Sequence, residues 1–400
     1  VIDFFHWTLQ GDWRFDPVAW PDPAAMVQEL ESMGVKALVS VWPTVNPLSE
    51  NYDKMLERGL LLRTERGMPH LMSFRDNRPE GPVAVAYYDS TNPEARDFIW
   101  EQVYENYFKY GIKSWWLDAC EPEMFPMDAD NLRFHIGTGA AVANAYPLLH
   151  ERGFYEHQIQ AGESEVLNLC RSGWAGSQRY GSLIWSGDIN STFETLQMQV
   201  RAGLNMAMSG IPWWTTDIGG FYGANIDSPY FRELVVRWFQ YAVFCPVFRL
   251  HGYRLESESA EQMLVSGASN EAWSFGDEAY EIIKDLLFLR ERLRPYVEAQ
   301  MHIAHEKGLP PMRPLFFDFP EDKKSAEIDD QFLFGPDILV APILEEGARS
   351  RTVYLPSGTT WTDAWSGEKL EGGRSFAVEA PLNRIPVYLR GDANLPIRTA

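Results

Sequence analysis

The chain has 400 residues, 45% of them apolar, and a formal net charge of −21. That length supports a large core and more than one domain. The acidity opposes phosphate backbones and anionic lipid, which argues against nucleic acid and membrane surfaces as partners, and no apolar run nears the roughly 18 residues that span a bilayer. Cys120, Cys170 and Cys245 are widely spaced, fit no zinc pattern or disulfide framework, and read as buried thiols. Oligomeric state and compartment are not legible.

The opening run "VIDFFHW" reads as a strand already under way, so the first strand of the fold is expected upstream of Val1 and the N-terminus reads as trimmed. "PDPAAMVQELESMG" follows with Asp22 as N-cap, Pro23 in the first turn, Met26, Leu30 and Met33 on one face and Gly34 as the stop. "KALVSVWP" is short and apolar, as a strand covered on both faces should be. Residues 49–90 are too long for an ordinary connection and read as a functional insertion on the rim. "TNPEARDFIWEQVYENYFKYG" predicts a helix with Pro93 near its start and Gly111 at its end, and "IKSWWLD" the next strand. Further strands are expected at "EVLNLCR", "SLIW", "GIPWWTTDI" and "AVFCPVF". The helix "STFETLQMQVRAGL" has a capping box of Ser191 and Glu194. One long helix is expected over "AYEIIKDLLFLRERLRPYVEAQ"; short β-type runs then follow, "DILVAPI", "RTVYLP", "TTWTDAW" and "RIPVYLR". The alternation predicts an α/β chain: a (β/α)8 TIM barrel over residues 1–306, lacking its first strand in this chain, then a small antiparallel β-sandwich over 307–400.

Parallel barrels present their chemistry at the C-terminal ends of strands, which selects Asp3, Asp118, Arg171, Asp188, Asp217 and His251. Carboxylates dominate, without a histidine metal motif or a glycine-rich phosphate loop, so neither metal nor cofactor is expected. Paired carboxylates among aromatic residues suit glycosidic bond cleavage, one ionised at the anomeric carbon and one protonated beside the leaving oxygen. Trp115 and Trp116 would raise a neighbouring carboxyl's pKa by desolvation, and an arginine would lower it. Spacing alone leaves alternatives open. Asp118 reads equally as a cap for the turn after it, Asp188 somewhat better as a helix-entry residue, and Arg171 also as a buried ion-pair partner. Glu121 and Glu123 read as solvated loop charges. His251 reads as structural, and His302 and His305 as partners of a helix dipole.

"KSWWLDACEPE" followed by "WSGDINSTFETLQMQVRAGLNMAMSGIPWWTTDIGGF" resembles glycoside hydrolase family 31, and the likeness extends through "FRLHG", "QFLFGPDILVAPI" and "IPVYLRGD" over essentially the whole chain. The resemblance implies a retaining α-glycosidase, on a barrel flanked by β-sandwiches, that takes an α-linked oligosaccharide and no cofactor. Asp118 then resembles the nucleophile and Asp188 the acid/base. Asp3, Arg171 and His251 match sugar-binding positions. Trp116, Trp185, Trp214, Asp217 and Phe221 resemble residues of the pocket wall or just behind it. Phe5 resembles an aromatic found in several α-xylosidase members, which favours α-xylose over α-glucose; an α-glucosidase, a transglucosylase and a non-catalytic carbohydrate-binding protein are the alternatives. The N-terminal sandwich and first barrel strand that the family normally supplies are expected before residue 1.

Overall fold

The computed structural model describes residues 1–76, 81–122, 129–255 and 267–398. Two compact units make up the chain, Val1–Ile184 and Trp185–Ala400.

In the first unit, α1 (Pro23–Ser32) begins as expected, with the Asp22 carboxylate accepting from the Ala25 amide at 2.9 Å. It leads to β1 (Leu38–Val41). After α2 (Pro93–Asn106), whose N-cap is Asn92, the chain turns at Gly111 and enters β2 (Ser114–Leu117). The helix α3 (Tyr146–Gln160) precedes β3 (Asn168–Cys170), and β4 (Ser182–Trp185) follows, its last residue being the first of the second unit. These four strands are parallel and adjacent in chain order. The opening run forms only a bridge, Ile2 to Val39, rather than the expected strand. Phe5, at φ 65°, turns the backbone out of strand geometry three residues later.

Residues 49–90 carry structure of their own. A short helix at Tyr52–Glu57 precedes an antiparallel pair, Leu71–Asp76 with Gly81–Tyr87, and Thr44–Val45 extends that pair. The segment is a small sheet, which satisfies backbone groups that a long loop would leave to water.

The second unit runs through α4 (Phe193–Met208), the two-residue β5 (Trp214–Thr215) and α5 (Pro229–Ala242). The cap of α4 is Thr192, whose hydroxyl accepts from the Thr195 amide at 3.1 Å, so the expected Ser191 box sits one residue too early. "AVFCPVF" forms no strand. Pro246 lacks an amide, and Arg290 gathers the carbonyls of Val243, Cys245 and Pro246 at 2.6, 2.8 and 2.8 Å. The expected single long helix is two, α6 (Asp277–Arg292) and α7 (Arg294–Lys307), because Pro295 cannot donate back into the preceding turn.

Beyond them stands a six-stranded antiparallel sheet. Its strands are β6 (Met312–Pro314), β7 (Phe332–Phe334), β8 (Ile338–Val340), β10 (Thr360–Asp363), β11 (Lys369–Glu371) and β13 (Val387–Arg390), in the order β6-β7-β8-β13-β10-β11. β9 (Ser350–Leu355) and β12 (Arg374–Glu379) pair separately. Leu333, Leu339, Trp361 and Tyr388 of the larger sheet share one core with Val353 and Leu355 of the smaller. Arg237 of α5 is fully buried and donates to the carbonyls of Ala348, Ala380, Pro381 and Arg384 at 2.9–3.2 Å.

Candidate active site

In the first unit, strand ends carry the predicted residues. The parallel ladder continues one hydrogen bond past the strands: the Asp118 amide donates to the Val41 carbonyl at 3.2 Å, and the Arg171 amide to Leu117 at 3.2 Å. Asp118 and Arg171 therefore leave the sheet side by side. Alternation along β2 sends Trp115 toward the helices, where it meets Trp100, Tyr107 and Phe154 edge-on or tilted, and Trp116 to the opposite face. Both indoles are buried.

The Asp118 side chain is 9% exposed and pairs with the Arg171 guanidinium at 3.4 Å. Its Oδ1 also accepts from the Ala119 amide at 2.8 Å, so it does cap the turn after it; Ala119 is held at φ 52°. Arg171 is a buried ion-pair partner too. It forks onto both oxygens of Glu121, at 2.6 and 3.0 Å, which corrects the reading of Glu121 as a solvated loop charge. Glu123 lies outside the described residues.

An aromatic wall stands next to Asp118: Trp7, Trp42 and Ala119 are buried together, with Phe4, Phe5 and Phe74 packed against them. Phe4 stacks on Trp42 at 5.2 Å. Asp3 enters this wall half-buried, its Oδ1 accepting from the Phe4 amide at 2.7 Å. The Asp3 carbonyl accepts from Nδ1 of His6 at 2.8 Å, so the other ring nitrogen accepts from the Tyr107 hydroxyl. Burial lowers the His6 pKa to about 4 and keeps it neutral.

Trp185, Asp188, Asp217, Phe221 and His251 all belong to the second unit. Asp188 is exposed, on the turn after β4. Asp217 is fully buried and ion-pairs with Arg249, whose guanidinium lies 5.6 Å from the Trp185 ring centroid. Burial pushes the Asp217 carboxyl up to about 7; Arg249 pulls it down, and Asp188 adds to the rise. The His251 and Phe221 rings are 5.5 Å apart, and burial first, then Arg249 and Arg254, hold that imidazole far below its ordinary pKa. The Trp214 indole packs against α4: a Cβ at Gly203 would come within 2.7 Å of its Nε1. Sequence reasoning missed the ion-pair partners of two predicted residues: Glu121, beside Arg171, and Arg249, beside Asp217. Arg249 lay inside the quoted "FRLHG", but nothing local marked it as the partner of a residue 32 positions earlier.

Among the described residues, no group of three or more His, Cys, Asp or Glu is placed to hold a metal ion. Likewise no helix there is long and apolar enough to cross a membrane.

The model of the glycosyl hydrolases family 31 TIM-barrel domain matches residues 1–300, and that of the family's C-terminal domain residues 308–395. The fold class is accordingly a TIM barrel followed by a C-terminal β-sheet domain. An uncharacterized family 31 glucosidase of Pseudescherichia vulneris is 54% identical over 254 residues, covering 64% of this chain and 47% of that protein. The α-xylosidase of Saccharolobus solfataricus is 35% identical across 99% of this chain and 51% of its own length. The crystal structure of a family 31 α-xylosidase from a soil metagenome, complexed with xylose, superposes with a TM-score of 0.92 at 51% identity, covering 98% of this chain and 58% of that one. The chain thus spans about half the length of the curated relatives it matches.

Proposed function

Because the chain belongs to glycosyl hydrolase family 31, we propose that the protein it represents is a retaining α-glycosidase that releases terminal α-xylose from xylosides or xyloglucan-type oligosaccharides. Asp118 attacks the anomeric carbon while Asp188 donates its proton to the departing oxygen. Asp188 then takes a proton from water, and the resulting hydroxide opens the glycosyl ester. Arg171 serves both as a sugar contact and as the cation that keeps Asp118 ionised. Asp3 and His251 take sugar hydroxyls, and Trp116, Trp185, Trp214, Asp217 and Phe221 form or back the pocket wall. The domain division is placed at residues 306/307.

The observation that carries this reading is the Asp118 environment: a carboxylate at a strand end, 9% exposed, paired with an arginine and flanked by an aromatic wall that includes Phe5. A bulky ring there narrows the space for a hydroxymethyl group, which favours xylose over glucose. The α-glucosidase reading is the second one, supported by the relative from Pseudescherichia vulneris. Parallel kcat/KM measurements on aryl α-xyloside and aryl α-glucoside decide between them: at least tenfold preference for the xyloside is expected, and preference for the glucoside overturns the sugar assignment. A fluorinated xylosyl fluoride should leave one sugar mass on the peptide containing Asp118; no added mass overturns the covalent mechanism.

A further inference from the structure

A row of rings runs outward from His251 to the surface of the second unit. His251 and Phe221 are half-buried with their rings 5.5 Å apart, and the Phe221 ring meets that of Tyr222 at 4.6 Å and 88°. Tyr222 ends the row 38% exposed, and the double displacement gives it no part. Its backbone lies along the Asp188 turn. The Tyr222 amide donates to the Ile189 carbonyl at 3.0 Å, the Ser191 amide donates to the Tyr222 carbonyl at 2.8 Å, and the two bonds make a parallel bridge between Tyr222 and Asn190. Gly220 permits this closeness: a Cβ there would stand 2.6 Å from the Ser191 Cα and 2.7 Å from the Asn190 carbonyl. Bridged residues of neighbouring strands project their side chains from the same face. The Tyr222 ring and the Asn190 amide, which is also exposed, therefore emerge together two residues beyond Asp188. The space beside them is open, since a Cβ added at Gly187 or at Gly223 would meet no atom within 4 Å.

The proton that Asp188 gives up goes to the oxygen that joins the terminal sugar to its aglycone, so the aglycone lies on the outer side of Asp188. A flat ring covers the C–H face of a pyranose, and a carboxamide both donates to and accepts from its hydroxyls. We propose that Tyr222 and Asn190 form the aglycone site, which holds a neutral sugar ring next to the scissile bond and favours oligosaccharides over glycosides with small leaving groups. The inference rests on Asp188 being the acid/base, and it adds to the xyloside reading the chemistry of the group that departs.

The test compares kcat/KM of the full-length protein on an α-xylosyl-glucose disaccharide and on α-xylosyl fluoride, whose leaving group is a single atom that reaches neither side chain. Tyr222→Ala is expected to lower the value for the disaccharide about 5–20-fold and Asn190→Ala about 3–10-fold, each with at most about a twofold change on the fluoride. Tyr222→Phe keeps the ring and should stay within about threefold of wild type on the disaccharide; a loss as large as that of Tyr222→Ala overturns the stacking role. Equal losses on the two substrates, or no loss on the disaccharide in either alanine variant, overturn the proposal as a whole. Should Tyr222→Ala fail to fold, Tyr222→Phe and Asn190→Ala decide alone. Asp188→Ala separates the two readings. If it cleaves the disaccharide at the wild-type rate, the acid/base assignment itself falls; if it loses the disaccharide while both alanine variants cleave it normally, only the aglycone site falls.

Discussion

The surroundings of Asp118 and of Asp188 are opposites. Asp118 ends a parallel strand, is 9% exposed and is held by Arg171 and by the amide of a residue at φ 52°. Asp188 lies exposed on a glycine-containing turn that is gripped through its neighbours. A group that must stay ionised and aimed benefits from an adjacent cation and a fixed backbone, whereas one that must gain and lose a proton each cycle needs access to water. The contrast matches the division of labour proposed for the two carboxylates.

The sharpest way to break that contrast is to remove each carboxylate in turn. Asp118→Asn should lower kcat at least about 10⁴-fold on every substrate, and Asp188→Ala about 10²–10⁴-fold on poor leaving groups but about tenfold or less on a glycosyl fluoride. Identical leaving-group profiles for the two variants would erase the distinction. Arg171→Met comes next. It takes the guanidinium away from two carboxylates, Asp118 and Glu121, and should cost about 3–5 kcal/mol of stability in chemical denaturation together with most of the activity; an unchanged denaturation midpoint would mean that the Asp118 side does not depend on its cation. Arg171→Lys should recover part of the loss, since an ammonium cannot fork across Glu121.

Glu151 of α3 sharpens the same side. It is buried under the segment that carries Arg171, accepts from the Ser182 hydroxyl at 2.8 Å, and burial raises its pKa to about 7. The folded state therefore holds this proton more tightly than the unfolded chain does, so stability should fall as pH rises from about 4.5 through about 7, by up to about 3 kcal/mol. Glu151→Gln should flatten that slope in melts across this range; an unaltered slope would remove Glu151 as its source. The smallest effect is expected from Glu121→Gln, about tenfold in kcat/KM, because Asp118 keeps its arginine. A loss as large as that of Arg171→Met would mean that Glu121, not Asp118, is the main partner.

Local signals were legible wherever the physics is local. Asp22 caps its helix and Gly111 ends the segment after α2, as their neighbours in sequence indicate. The break at Leu293 was hidden because apolar residues keep the same helical spacing on both sides of Pro295. Pairings across the fold left no local trace: Arg171 finds Glu121 from 50 residues away, and Arg249 finds Asp217 from 32. Spacing alone left Asp118 balanced between nucleophile and turn cap, and the amide of Ala119 explains the ambiguity, since the residue does cap its turn. It took long, ordered motifs to favour the chemical reading.

Arg237 makes the second unit hard to dismantle in pieces. Its guanidinium, lowered by burial only to about 10, remains charged at any physiological pH, and it gathers carbonyls from residue 348 and from the 380–384 stretch. Separating the sheets from α5 would break all of these charge-assisted hydrogen bonds at once. Helix and sheets are therefore expected to denature as one cooperative block.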